Sequence, residues 1–86
     1  MRFVYAPAFL RQLKRLPIDI KDEAKEALRL FPNRDNHPRL KVHKLKGPLS
    51  GQHAFSVNYR FRIIFHYQAP DIIHILAIGD HDIYHL

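Results

Sequence analysis

The chain has 86 residues, with 14 lysines and arginines against 8 aspartates and glutamates, seven histidines, no cysteine and a formal charge of +6. This length holds one domain and excludes a two-lobed enzyme, while the lack of cysteine excludes disulfides, thiolate metal sites, iron–sulfur clusters and a cysteine nucleophile. With 47% apolar residues the chain can build a core, and a pI near 10.0 favours a polyanionic partner, either nucleic acid or an acidic protein.

Residues 2–5, Arg-Phe-Val-Tyr, read as a strand, and Pro7 suits the first turn of a helix. The opening therefore reads as strand and helix, not as a secretion signal. No apolar run reaches the ~20 residues of a membrane span, so a soluble, cytoplasmic protein is expected. Phe9, Leu10, Leu13 and Leu16 fall at helical spacing until Pro17 breaks the pattern. Asp19 reads as the N-cap of a second helix, with Asp22 and Glu23 in its first turn. Ile20, Ala24, Ala27, Leu28 and Phe31 make that helix's apolar stripe.

Residues 32–39 are turn chemistry and end the helical half. Residues 40–46 read as a strand with a basic side, closed by Gly47 and Pro48. Residues 54–57, 61–67 and 72–78 are β-branched or aromatic runs, with turns at Asn58-Tyr59 and around Ala69-Pro70. The expectation is an α+β domain over residues 1–86, in the order β-α-α-β-β-β-β. A two-helix hairpin would lie on a four- to five-stranded, antiparallel-rich sheet.

Strict alternation through the hairpins sorts the sheet into two faces. Ala54, Ser56, Phe61, Ile63, Phe65, Tyr67, Ile72, His74, Leu76 and Ile78 form the expected helix-packing floor. His53, Phe55, Val57, Arg60, Arg62, Ile64, His66, Ile73, Ile75 and Ala77 form the other face, a solvent or binding side.

Three groups could carry chemistry. Arg39, Lys41, His43, Lys44 and Lys46 can track a phosphate backbone, or they can guard an edge strand against aggregation. Arg60 and Arg62 share a face with His66 by alternation; a guanidinium there can clamp a phosphate, or it can pair with Asp80 or Asp82. The tail places His81, Asp82 and Tyr84 behind Gly79, so an imidazole and a phenol stand within a few residues of each other. None of the histidines shows metal-ligand spacing on a helix, so no metal and no cofactor are expected.

The motifs His-Lys-Leu-Lys-Gly at 43–47, Tyr-Arg-Phe-Arg-Ile-Ile-Phe at 59–65 and Gly-Asp-His-Asp-Ile-Tyr at 79–84 occur in an order and spacing similar to the RelE/ParE superfamily of bacterial toxins. The resemblance covers essentially the whole chain and is specific in its second half. It implies the toxin of a type II toxin–antitoxin system. RelE-like members cut mRNA in the ribosomal A site without metal, by attack of the ribose 2′-OH on the adjacent phosphate; ParE-like members inhibit DNA gyrase instead. RNA carries its own nucleophile, so such a protein needs only an acid, a base and cations around the phosphate.

By the resemblance, Arg62 contacts the scissile phosphate, His81 stands at the position of the catalytic arginine or histidine, and Tyr84 reaches the cleaved nucleotide. Arg39, Lys41, His43, Lys44, Lys46 and Arg60, with His53 as a further candidate, would face RNA. Residues 54–57, Ala-Phe-Ser-Val, depart from the lysine-bearing strand of RelE-like members. The implied partners are the ribosome with its mRNA and a cognate antitoxin, in a heterotetramer or larger complex. The alternatives are a ParE-like gyrase inhibitor and a non-catalytic member that acts by protein binding.

Overall fold

The structure, a computed structural model, describes residues 1–80. Strand β1 (Arg2–Tyr5) leads into helix α1 (Pro7–Lys14), with proline at the first helical position, where its fixed φ and missing N–H cost nothing. Helix α2 spans Ile18–Leu30. Asp19 lies in its first turn and is not the cap; Pro17 holds the cap position, and no side chain caps the helix. No helix among the described residues is long and apolar enough to cross a membrane.

The segment expected to be turn throughout contains a 3-10 turn at Arg34–Asn36 and a four-residue helix, α3 (His37–Leu40). Asn33 Oδ1 accepts from Asp35 N at 3.0 Å and starts the 3-10 turn. Asn36 Nδ2 donates to Leu30 O at 2.9 Å, and His37 Nε2 lies 2.8 Å from Phe31 O. These side chains satisfy carbonyls that the end of α2 leaves open. Lys41 closes α3 in the left-handed region, with φ 56° and ψ 44°. Because that conformation costs an L-residue roughly 1–2 kcal/mol, Lys41→Gly is expected to raise stability by about 0.5–1 kcal/mol after the added freedom of the unfolded chain is deducted. Urea unfolding of the two proteins checks this.

The expected strand at 40–46 shrinks to β2 (His43–Lys44), because Leu40 ends α3 as a buried core residue. After a 3-10 turn at Gly47–Leu49 come β3 (His53–Ser56), β4 (Arg62–Ala69) and β5 (Ile72–Gly79). The five strands form one sheet in the order β1-β5-β4-β3-β2, with β1 parallel to β5 and every other pair antiparallel.

Two register shifts between β4 and β5 overturn the expected faces. One lies between Ile64 and Phe65 and leaves Leu76 unpaired; the other lies between Tyr67 and Ala69 and leaves Gln68 unpaired. Each extra residue reverses the parity of the strand that carries it. Ile63 therefore opposes Ile78, Phe65 opposes Ile75, and Tyr67 opposes Ile73. Ile73 and Ile75, expected on the open side, join Ile63, Phe65 and Ile78 in the core beneath the helices. Phe55 joins them for a separate reason: the β3–β4 turn is longer than the expected Asn58-Tyr59 pair and closes between Val57 and Phe61, so Phe55 opposes Ile63 and not Arg62. His74, expected on the floor, pairs with His66 and with Val4 away from that core.

The helices contribute Phe9, Ala24, Ala27 and Leu28 to the same core, together with Phe31 at the end of α2. Leu10 does not belong to it and is 50% exposed. Phe9, Gln12 and Leu13 lie on one side of the α1 wheel, and Leu10 falls about 100° away from Phe9. Gln12 Oε1 accepts from Ile78 N at 2.9 Å, near the irregular pairing at Leu76.

Candidate functional site

The loop between β3 and β4 is held by one asparagine. Asn58 Oδ1 accepts from the backbone N–H groups of Arg60 and Phe61, both at 2.8 Å, and Val57 N donates to Phe61 O at 2.9 Å. An asparagine side chain that reaches its own backbone two and three residues ahead shapes a turn without help from glycine. Asn58 Nδ2 also donates to Glu23 Oε1 at 3.4 Å and ties the loop to α2.

Arg62 opens β4 at the foot of this loop. Its Nη1 donates to the carbonyls of Asn58 at 2.7 Å, Phe61 at 3.0 Å and Tyr59 at 3.4 Å. Its Nε and Nη2 make no hydrogen bond among the described residues. One edge of the guanidinium thus braces the loop.

A cleft of about 580 Å³ opens between α2, the end of α3 and this loop. Arg39, Lys41 and Arg62 line it, so three of the cations singled out in the sequence meet at one place. Ala27, Leu30, Leu40 and Val57 also line it and give it apolar wall. Ser56 contributes a buried Oγ with no hydrogen-bond partner among the described residues, and Tyr59 stands at the rim, 93% exposed. The α2 side is acidic, with Asp22, Glu23 and Glu26. Hydrogen bonds from Arg29 hold the Glu26 carboxyl below its usual range, so this carboxylate stays ionised and already engaged. Ser56, Tyr59 and the three acidic residues were not among the expected site residues. The turn signal at Asn58 could have pointed to Tyr59, whereas nothing local marks Ser56.

The remaining basic residues spread along the β2 edge. His43 and Lys46 line a second hollow of about 270 Å³ with Leu45 and Leu49. His43 Nδ1 lies 2.8 Å from Lys41 O, and Lys44 is exposed opposite His53. Arg60 sits in the loop and not in the strand, so the expected alternation with Arg62 and His66 does not apply to it. Its Nη2 lies 4.0 Å from Asp80 Oδ2, and its guanidinium lies 5.4 Å from the centre of the Phe61 ring. His81 and Tyr84 fall outside the described residues.

His53 packs as an aromatic residue, its ring 5.4 Å from that of Phe65 and 5.0 Å from that of Tyr67. Its Nδ1 is buried and has no hydrogen-bond partner among the described residues. Burial first, then the charges of Lys44 and His43, pull its pKa below the ordinary 6.5. The unfolded chain therefore takes up this proton before the folded chain does. The stability tied to neutral His53 is complete above the unfolded value and drains away as pH falls toward the folded one. Thermal melts at about pH 7.5 and about pH 5.5 are expected to show a larger loss for the wild type than for His53→Phe. Equal losses would show that this imidazole does not couple folding to pH.

No protein-family model and no curated protein sequence matches the chain. Solved structures do. YafQ from E. coli strain BL21(DE3) is 18% identical, with a TM-score of 0.77 over 94% of this chain and 93% of that one. In the YoeB–YefM complex from Staphylococcus aureus, the matched chain is 18% identical, with a TM-score of 0.73 over 92% of this chain and 94% of that one. In the toxin–antitoxin complex RelBE2 from Mycobacterium tuberculosis, the match is 19% identical, with a TM-score of 0.66 over 93% of this chain and 96% of that one. Helices on a five-stranded, mostly antiparallel sheet with a parallel first strand are thus shared along nearly the whole length, and this chain has the RelE/ParE-type fold.

Proposed function

We propose that this chain is the toxin of a type II toxin–antitoxin pair, a single RelE/ParE superfamily domain over residues 1–86 that cuts mRNA on the ribosome. The observation that carries this reading is the meeting of Arg39, Lys41 and Arg62 in one cleft beneath an exposed tyrosine. Cations beside a solvent-facing aromatic ring suit single-stranded RNA, whose phosphates and base faces need such partners. The fold likeness to chains from toxin–antitoxin complexes supports the same reading.

In this mechanism the ribose 2′-oxygen attacks the adjacent phosphorus and the 5′-oxygen leaves. The products are a 2′,3′-cyclic phosphate and a 5′-hydroxyl, and no cofactor takes part. Arg62 holds the phosphate through Nε and Nη2 while Nη1 keeps the loop in place. His81 moves the proton as acid or base, and Tyr84 orients the nucleotide or protonates the leaving oxygen. Arg39, Lys41, His43, Lys44, Lys46 and Arg60 neutralise backbone phosphates of mRNA and ribosomal RNA in the cytoplasm. A cognate antitoxin covers this basic surface in a heterotetramer or larger complex.

Mapping of mRNA ends on ribosomes after expression tests the proposal. Cuts confined to the A site are expected, together with growth arrest. DNA breaks with intact mRNA would replace this reading with gyrase inhibition, and expression without arrest would replace it with a non-catalytic role.

A further inference from the structure

Away from the core and outside the cleft, two histidines face each other across the sheet. His66 of β4 and His74 of β5 are directly opposed in the ladder, and both are half-buried. Their ring centroids are 5.0 Å apart, with the planes inclined at 66°. Neither ring makes a hydrogen bond among the described residues. The extra residue at Gln68 produces this pairing; continued from Ala69 opposite Ile72 without it, the hairpin would set Tyr67 against His74.

We propose that His66 and His74 form a two-imidazole site for a transition-metal dication of the Cu²⁺, Ni²⁺ and Zn²⁺ class. Imidazole is the commonest protein ligand for these ions, and paired strands hold opposed side chains on one face at short range. A metal about 2.0–2.1 Å from a ring nitrogen lies roughly 3.2 Å from that ring's centroid, so two such bonds at a near-tetrahedral angle put the centroids about 5 Å apart. The observed centroid spacing of 5.0 Å is compatible with this arrangement. Among the described residues no third histidine or carboxylate joins the pair, so water fills the remaining positions. The bound ion cross-links β4 to β5 across the irregular end of their ladder. This inference is independent of the proposed nuclease reading, because neither histidine lines the cleft.

Calorimetric titration of the full chain with Cu²⁺ alone, the ion favoured by ligand-field preference, tests the site. One equivalent is expected to bind and to raise the melting temperature. His66→Gln and His74→Gln should each weaken binding by at least about tenfold, a loss already typical of an outer-shell change. Unchanged affinity in both variants, or no binding to the wild type, would overturn the proposal. Sub-stoichiometric Cu²⁺ added to the wild-type protein gives a check that does not depend on variant folding. Paramagnetic broadening of imidazole resonances centred on His66 and His74 supports the site, and broadening centred on any other histidine overturns it.

Discussion

Arg62→Ala is expected to abolish growth arrest and to lower RNA cleavage by about 10²–10³-fold, the loss typical of removing one preorganised donor from a developing oxyanion. Arg62→Lys is expected to recover only a small part. Lysine keeps the charge, but it offers a point donor where arginine offers a planar fork. That fork has two tasks here, because Nη1 already braces the carbonyls of Asn58, Phe61 and Tyr59. Hydrogen bonds to a charged group contribute about 1.5–3 kcal/mol, so the alanine variant also loosens the β3–β4 loop. A thermal melt separates the two effects: a folded variant with no cleavage assigns the loss to phosphate contact. Arg39→Ala is expected to behave differently, weakening RNA binding evenly across sequences and flattening its salt dependence by about one counterion. Full growth arrest in a folded Arg62→Ala protein would remove Arg62 from the site.

What could be read before the structure follows from how far each signal reaches along the chain. Helix α2 declares itself because Ala24, Ala27 and Leu28 repeat at its own period, and all three are buried. Pro7 marks the start of α1 by backbone constraint alone, whereas Pro17, read as the break after the first helix with Asp19 as the next cap, itself holds the cap position of α2. Helix α3 is too short to show a period, and its proline and histidine read as turn chemistry until the bonds to Leu30 and Phe31 are seen. The faces of β4 and β5 went wrong for one reason. Parity is a cumulative count, and the unpaired Leu76 and Gln68 each shift it by one. The site was legible as a list of cations but not as a place. Arg39 and Lys41 meet the sequence-distant Arg62 only because α3 packs against the end of α2. The metal pair has the same origin, since His66 and His74 carry no spacing motif and oppose each other only through an irregular ladder.

Phe31→Ala is expected to cost about 3–5 kcal/mol, the range for emptying a large aromatic site in a core. Phe31 is fully buried where α2 ends, and its ring lies 5.0 Å from both Phe55 and Phe65, 6.0 Å from Phe3 and 4.6 Å from His37. One side chain therefore joins β1, β3, β4 and the start of α3 to the same helix. Small domains carry about 0.05–0.15 kcal/mol of stability per residue, or roughly 4–13 kcal/mol at this length. The substitution thus removes roughly a quarter of that or more, and at the lower end it unfolds the chain. Urea titration is expected to show a much lower midpoint with an unchanged slope, because the surface exposed on unfolding stays nearly the same. Phe31→Leu should lose less, since most of the volume remains. Leu10→Ala provides the contrast: half-exposed on the outer side of α1, it is expected to shift stability by less than about 1 kcal/mol. Equal losses at Phe31 and Leu10 would contradict a core centred on the end of α2. The effect reaches the cleft as well, because Ala27 and Leu30 of α2 and Leu40 of α3 line it, and Phe31 anchors the end of α2 and, through its carbonyl to His37, the start of α3.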